Sequence, residues 1–113
     1  MGPDRVSVRV SYWPDGVIKS VWASGHAGAV PAGSNVACAA VTVLVRTAYE
    51  TFAGYEGVDV KGRALRPGQL GFELGRYPPA FVDKLKGVGD FLLVGLSSVE
   101  REYPGLIEMK TES

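Results

Sequence analysis

Apolar and polar residues alternate strictly near the start of the chain, where Val6, Val8 and Val10 are separated by polar residues. This period of two places the valines on one face of a β-strand. Residues 14–16, Pro-Asp-Gly, then supply turn chemistry, and residues 17–24 return to a strand-like composition. The N-terminal segment therefore predicts a β-hairpin.

The apolar period then changes to that of an α-helix. One apolar row recurs at every fourth residue with two valines beside it, and comprises Val36, Ala40, Leu44, Ala48 and Phe52 with Val41 and Val45. A stripe of this kind is the core-facing side of an amphipathic helix. Asn35 is expected to cap the helix N-terminus, and Gly54 is expected to end the helix. The residues before it, 27–34, are rich in Gly and Ala and predict a loop.

The second half of the chain repeats this strand-strand-helix order. Residues 58–61 and 70–74 have the composition of a strand pair, joined by a turn that contains Arg66-Pro67-Gly68. Pro78-Pro79 suits the first turn of a second helix, whose apolar face contains Phe81, Leu85, Val88, Leu92, Leu96 and Val99. Residues 106–109 predict a short terminal strand.

The predicted order is therefore β-β-α-β-β-α-β. Two helices packed on one face of a mixed sheet would bury both apolar stripes, so the expected fold class is α/β (α+β), a two-layer sandwich. The chain has 113 residues, which predicts a single domain over 1–113.

Composition narrows the classes of function. The chain has 12 acidic and 12 basic residues and is 46% hydrophobic, which excludes intrinsic disorder and a globally basic nucleic-acid binder. Its single cysteine forms no internal disulfide, and with one histidine it falls short of the ligands of a structural zinc site. We expect no metal and no cofactor.

The start of the chain lacks the apolar run of a signal peptide. We also expect polar residues to interrupt every apolar run before it is long enough to span a membrane. We therefore expect a soluble cytoplasmic protein without membrane contact.

The only thiol and the only imidazole flank the predicted loop. His26 follows the second strand, and Cys38 falls in the predicted first turn of the helix. A cysteine nucleophile reacts as the thiolate, which is a few per cent of a free thiol at neutral pH. With Asn35 as cap, Cys38 lies beside the positive end of the helix dipole, and free N–H groups there suit an oxyanion. A nearby histidine can pair with the thiolate and later protonate a leaving amine. The alternative is that Cys38 is an inert core residue.

The segment GHAGAVPAGSNVACAAVTVL, residues 25–44, closely resembles the signature of the ribosomal-processing cysteine protease family, Prp. In that signature Gly-His-Ala precedes a glycine-bearing loop and a Cys-Ala-Ala-Val helix. Chain length and predicted element order extend the resemblance over essentially the whole sequence. The resemblance implies a cytoplasmic, homodimeric cysteine endopeptidase that removes a short N-terminal extension from a large-subunit ribosomal protein. It also implies that His26 is the general base and Cys38 the nucleophile.

Two positions depart from the family pattern. Asn35 stands where many members have Asp, and a neutral side chain caps a helix but stabilises an imidazolium less strongly. Thr42 stands where many members have Ser, and it retains the hydroxyl as a supporting group. Because of Asn35, a catalytically weak, ribosome-associated binding domain of the same fold stays open as an alternative.

The loop before the helix and the charged surface complete the expectations. Gly28, Pro31 and Gly33 are expected to belong to a loop that covers the substrate, with a plain flexible connection as the alternative.

Residues 61–86 contain six basic residues and two acidic ones, and we interpret this segment as a solvated face rather than a direct nucleic-acid contact. Acidic residues near the C-terminus are the better candidates for attracting a basic ribosomal protein, and are Glu100, Glu102, Glu108 and Glu112.

Overall fold

The computed structural model describes residues 5–25, 32–63 and 69–112. Its elements follow the predicted order β-β-α-β-β-α-β, which is confirmed. They are β1 (Val6–Tyr12), β2 (Ile18–Ser24), α1 (Ala32–Ala53), β3 (Val60–Arg63), β4 (Gln69–Leu74), a short 3-10 helix (Pro79–Phe81), α2 (Val82–Glu102) and β5 (Ile107–Glu112). The turn predicted at 66–68 lies outside the described residues.

The five strands form one mixed sheet in the order β3-β4-β2-β1-β5. β1 pairs antiparallel with β2 and parallel with β5, and β4 pairs antiparallel with both β2 and β3. Along β1 the valines alternate with exposed residues, and Val8 is paired with Ala23 on one side and Met109 on the other. The buried row packs with both helices in one hydrophobic cluster, so the predicted two-layer sandwich is confirmed.

Helix α1 buries a row that differs from the predicted one. Among its residues 36–53, five are buried, namely Ala37, Val41, Val45, Ala48 and Phe52, whereas Val36 is 47% exposed. A helix has about 3.6 residues per turn, so a row taken at every fourth residue drifts steadily around the axis. Over residues 36–52 this drift carries the first residue of the predicted row away from the sheet.

Side chains of neighbouring elements approach α2 closely at two of its glycines. A Cβ on Gly89 would lie 3.0 Å from Cδ1 of Ile18, on the sheet side, and a Cβ on Gly95 would lie 3.0 Å from Cδ2 of Leu44 on α1. Leu85, Leu92 and Leu96 are buried on the same helix, as the apolar pattern predicts. Glycine is intrinsically unfavourable in a helix. At these two positions that cost is offset because the missing side chain lets Ile18 and Leu44 pack closely against α2.

The β1–β2 turn is tied to the segment before α2. Gly16 has a φ of +90°, and its N–H donates to the carbonyl of Trp13 at 2.9 Å. The Asp15 carboxylate accepts from the backbone N–H of Val17 at 3.0 Å and from the hydroxyl of Tyr77 at 2.7 Å. This carboxylate thus joins two parts of the chain that are 62 residues apart.

Helix α1 contradicts the expectation that every apolar run is interrupted before it is long enough to span a membrane. In the described part of the chain, the 18-residue window Val36–Ala53 is long and apolar enough, by length and composition, to cross a membrane, with a mean hydropathy of 1.3. The core helix of a globular fold passes the same test, and α1 packs on the sheet. Only 28% of the window is buried, so α1 also presents a broad apolar outer face.

The packing of Trp22 on β4 predicts a matched pair of glycine variants. A Cβ on Gly71 would clash with Cε3 of Trp22 and lie 2.6 Å from the Val21 carbonyl oxygen, whereas one on Gly87 meets nothing within 4 Å. Gly71→Ala should lower the free energy of unfolding by about 1–3 kcal/mol through overpacking. Gly87→Ala should raise it by about 1 kcal/mol, because alanine is the better helix former. Urea unfolding of dilute protein measures both, and an unaffected Gly71→Ala variant would contradict the packing.

The Asp15–Tyr77 hydrogen bond predicts a pH dependence at both extremes. Burial, and then the bond to Asp15, raises the pKa of Tyr77 from 10.0 to about 12. The bond from Tyr77, and then that from Val17, lowers the pKa of Asp15 below 3.8. The contribution of Tyr77 to the free energy of unfolding is therefore complete below pH 10.0, and it is lost as pH rises through about 12. The contribution of Asp15 is complete above pH 3.8, and it is lost as pH falls through the lowered pKa of this carboxyl.

Absorbance at 295 nm follows the five tyrosines as they ionise. In the native chain one tyrosine should titrate near pH 12. Asp15→Asn removes the carboxylate charge and the strong acceptor, so the pKa of Tyr77 should move toward its ordinary value. Equal titration curves for the two proteins would show that the bond has no influence in solution.

Candidate active site

Cys38 lies at the rim of the interface between α1 and the sheet. It follows the buried Ala37, packs against the hydrophobic cluster, and remains partly exposed. Its sulfur faces the end of β2, since a Cβ placed on Gly25 would lie 3.8 Å from Cys38 Sγ and 3.4 Å from Cγ2 of Val6. A thiol with an open side at a cleft is accessible to reagents, in contrast to the closed environment of an inert core cysteine.

A cleft of about 230 Å³ opens beside this thiol. Helix α1 contributes Cys38, Val41, Thr42 and Arg46 to its wall, and the rest comes from the starts of β1 and β4 and from the end of β2 with Gly25. In the sheet Ser24 is paired with Gln69, and Ala23 with Leu70. The cleft is therefore built where β2 ends, β4 begins and α1 crosses above them. The last described residue of this strand end, Gly25, is directly followed in the chain by His26.

The structure describes only part of the predicted site. It brings Thr42 into the cleft beside Cys38, as one-turn spacing on a helix requires. His26, Gly28 and Pro31 lie outside the described residues, so their predicted roles stay predictions. Gly33 was expected in the loop, but it lies inside α1, which begins at Ala32.

The expected helix start is wrong, and this changes the electrostatics of the site. Because α1 begins at Ala32, Asn35 is a residue of the helix and not its cap, and Cys38 falls in the second turn. The influence of a helix dipole fades beyond the first turn, and the free N–H groups belong to the first four residues. The helix dipole therefore activates the Cys38 thiol less than the sequence predicted. The backbone N–H of Cys38 is likewise not one of the free N–H groups that could stabilise an oxyanion.

Several residues of the cleft were not predicted as site residues from the sequence, and three of them show why. Arg46 follows Thr42 by four residues, so helical periodicity from Cys38 would have found it. Gln69 enters through the pairing of β4 with β2, which apolar patterning does not specify across a long connection. Gly25 was noted only as a neighbour of His26, although it leaves open the space in front of the sulfur.

The described wall of the cleft is mostly apolar, with a few polar groups that can orient a ligand. The Arg46 guanidinium supplies a permanent positive charge, and Ser24, Thr42 and Gln69 supply hydroxyl and amide groups. Among the described residues, no group of three or more His, Cys, Asp or Glu side chains is arranged to hold a metal ion. A larger groove of about 400 Å³ lies between α1 and α2, away from Cys38.

A thiol at the wall of a cleft, on a two-layer α/β scaffold, is compatible with a cysteine nucleophile, which also requires a base within hydrogen-bond reach. Comparison with protein families gives the more particular result. The family model described as cysteine protease Prp matches residues 5–108. The chain therefore belongs to the Prp family of cysteine proteases.

Solved structures of similar fold agree. The chain is similar to the essential ribosomal processing protease Prp from S. aureus in complex with a substrate peptide, with a TM-score of 0.75 and 18% identity over 94% of this chain and 98% of that one. The same protease with a covalently linked product peptide matches with a TM-score of 0.71 and 16% identity, over 94% and 98% of the two chains. A protein from Streptococcus mutans matches with a TM-score of 0.76 and 18% identity, over 97% of each chain. At these identities the structures establish the fold. None of the curated proteins matches the chain.

The contact between Gly25 and Cys38 predicts how side chains at residue 25 control access to the thiol. Gly25→Ala adds a Cβ at ordinary contact distance from Cys38 Sγ and Val6, so alkylation by iodoacetamide should stay within about twofold of the parent rate. Gly25→Val adds two further methyl groups toward the same space, and alkylation should slow by about tenfold or more. Mass spectrometry of the intact protein gives both rates. Equal rates for the two variants would place the open side of the thiol elsewhere.

Proposed function

We propose that this protein is a cysteine endopeptidase that removes a short N-terminal extension from a large-subunit ribosomal protein. The supporting observation is the partly exposed thiol of Cys38, in contact distance of the strand end that leads directly into His26. Membership of the Prp family supports protease chemistry. The S. aureus protein of similar fold is described as a ribosomal processing protease that was captured with a substrate peptide, which supports the proposed class of substrate.

In the proposed acylation step, Cys38 and His26 act as a dyad. The Cys38 thiolate attacks the scissile carbonyl carbon and forms a carbon–sulfur bond, while the carbonyl π electrons move to oxygen. When the oxyanion collapses, the carbon–nitrogen bond breaks, and the His26 imidazolium gives its proton to the leaving amine. The products are a free peptide amine and a thioester on Cys38.

Deacylation returns the enzyme to its starting state. His26, now neutral, takes a proton from water as the water oxygen attacks the thioester carbonyl. The carbon–sulfur bond breaks, the thiolate of Cys38 leaves, and the acyl fragment departs as a carboxylic acid that ionises. The imidazolium and thiolate pair is thereby regenerated.

The described cleft supports binding of an extended peptide segment. Its wall follows the ends of β2 and β4, and its groups from Ser24, Thr42 and Gln69 suit hydrogen bonds to peptide amides. In this proposal residues 28 and 31 belong to a segment that covers bound substrate. Holding the scissile bond against a fixed thiol lowers the entropic part of the barrier.

The proposed setting is a cytoplasmic homodimer that meets a basic substrate. Glu100 and Glu102 are exposed at the end of α2, and Glu108 and Glu112 are exposed on β5. These carboxylates favour the approach of a basic ribosomal protein at low ionic strength. Neither direct nucleic-acid binding nor a cofactor enters the proposed reaction.

A binding domain of the same fold with weak hydrolytic activity is the second candidate. Asn35 in place of Asp motivates it, and the position of Cys38 in the second turn of α1 adds to it, because the helix dipole activates a thiol less there. The pH dependence of iodoacetamide alkylation separates the two candidates. An activated thiol is half-maximally alkylated at a lower pH than a cysteine in a short peptide, whereas a binding domain follows the peptide.

Substitution of the dyad gives the direct test of the proposed reaction. The substrate is a synthetic peptide that spans the N-terminal extension of the ribosomal protein from the same genome. Cys38→Ala should abolish its cleavage, and Cys38→Ser should reduce cleavage by about a thousandfold or more, because a hydroxyl is a far weaker nucleophile without its own activation. Thr42→Ser keeps the hydroxyl beside Cys38 and serves as the matched control, with activity within about threefold of the parent.

Cleavage products are identified by chromatography and mass spectrometry. Undiminished cleavage by Cys38→Ala would refute the proposed nucleophile. Cleavage that depends on Cys38 but is unchanged in His26→Gln would refute the dyad and leave the nucleophile in place. A parent protein that binds the peptide without cleaving it would support the second candidate.

A further inference from the structure

The face of the sheet that points away from the helices carries a row of basic and aromatic side chains. Outward residues alternate with the buried ones along each strand and are paired across the sheet. Trp22 is paired with Arg9, and Arg9 with Lys110. On its other side Trp22 is paired with Gly71, and Gly71 with Arg63. The indole of this row therefore lies between cationic residues on both sides.

Gly71 gives the indole of Trp22 room to lie over the sheet. A Cβ on Gly71 would clash with Cε3 of Trp22 and lie 3.0 Å from Cζ3, so the ring occupies the space above this glycine. Trp22 is nevertheless partly exposed to solvent. An indole held in this way offers a π surface on which a planar aromatic group can stack.

A depression of about 340 Å³ lies beside this indole. Two neighbouring rows of outward side chains contribute to its lining. The first row supplies Trp22 with two cations, and the second supplies hydroxyl groups and a carboxylate, from Ser7, Ser24 and Glu108. Ser7 Oγ lies 3.5 Å from Oε1 of Glu108, which leaves the carboxylate with capacity to accept further hydrogen bonds. The volume is within the range of small-molecule sites.

The charged groups of this depression are separated by sign. Arg9 and Lys110 are paired directly on β1 and β5, whereas Glu108 lies one row away, roughly 7 Å along the strand. Among the described residues, the ion pair on this face joins Arg63 to Glu73 at 3.8 Å, and it leaves Arg9 and Lys110 without a carboxylate partner. Two adjacent cations of this kind suit the oxygens of a phosphate group.

We propose that this depression binds a nucleoside monophosphate, with its base stacked on Trp22 and its phosphate held by Arg9 and Lys110. The guanidinium of Arg9 donates to two phosphate oxygens at once, and the ammonium of Lys110 adds a second charge. Trp22 and Lys110 are two strands apart, roughly 10 Å, so the ribose spans the distance between them. Glu108 and the neighbouring hydroxyl groups hydrogen-bond the ribose or the base. This site goes beyond the proposed function and takes no part in the reaction of Cys38.

The charges of the whole face favour a single nucleotide over a strand of RNA. Three carboxylates are exposed on the rows that flank the indole, at Glu73, Glu108 and Glu112. They repel a polymer that carries a phosphate at every nucleotide. The row also offers one aromatic ring, whereas proteins that bind single strands stack successive bases on several rings. A small ligand with one anionic group satisfies both constraints.

Calorimetric titration of the full chain with GMP tests the site. Trp22→Leu removes the stacking surface and should raise the dissociation constant at least about tenfold. Arg9→Gln removes a charge at the phosphate and should raise it about tenfold as well. Arg101→Gln removes the same charge from the exposed end of α2, as the matched control, and should leave the constant within about twofold. Circular dichroism checks that each variant folds. Because Arg9 is exposed, Arg9→Gln remains informative even if the loss of Trp22 disturbs the sheet.

The component ligands separate the parts of this inference. Guanosine, which lacks the phosphate, and inorganic phosphate should each bind at least about tenfold more weakly than GMP. Phosphate that binds as tightly as GMP would overturn the stacked base. A short single-stranded RNA that binds more tightly than GMP would overturn the small ligand and make RNA the occupant. An unchanged dissociation constant in Arg9→Gln and Trp22→Leu, or no binding at about 10 mM GMP, would overturn the site. Peptide cleavage by Cys38 is decided independently of all these results.

Discussion

The packing of α1 across the sheet is the contact on which the rest of this molecule depends. Its buried row, which ends at Phe52, packs against the inward side chains of the sheet, and the rings of Phe52 and Phe72 lie 5.6 Å apart at a tilt. Burial of one such aromatic side chain contributes about 1.5–3 kcal/mol. Because this row fixes the rotation of the helix, it also fixes which residues face the cleft and which face away from the sheet.

Two separate concave surfaces follow from that single rotation. On one flank of the helix Cys38, Thr42 and Arg46 face the ends of β2 and β4, where a few polar groups lie beside a thiol in a mostly apolar wall. On the other flank Leu44, Thr47 and Thr51 face α2 and line the apolar groove. The apolar run that satisfies the length and hydropathy of a membrane span belongs to a helix that packs on the sheet and beside α2.

Local patterns predicted the elements well because each element has a clear period. Valines at alternate positions specified β1, and the apolar stripe of α2 specified its buried leucines. The start of α1 was missed because Asn35 is a good cap by residue type, yet the chain was already helical three residues earlier. Capping preference is a local free energy of about 1 kcal/mol, so residue type alone does not fix where a helix begins.

The cleft was predicted only in part because its residues come from different kinds of interaction. Thr42 and Cys38 are related by helical spacing, which a sequence displays directly. Gln69 reaches the cleft through strand pairing over a long connection, and Gly25 matters through the space it leaves open. Neither signal is present in a hydrophobic pattern. The role of the imidazole comes from resemblance, since His26 lies outside the described residues.

The central claim is that Cys38 is a nucleophile directed at a bound peptide. A peptidyl chloromethyl ketone built on the ribosomal extension sequence tests it most directly, with intact-protein and fragment mass spectrometry as the readout. We expect a single adduct, located on Cys38, that forms faster than with a scrambled peptide of the same composition and is absent after unfolding in urea. Equal labelling by the native and scrambled peptides, or by the folded and unfolded chains, would contradict the assignment of this cleft as a peptidase active site.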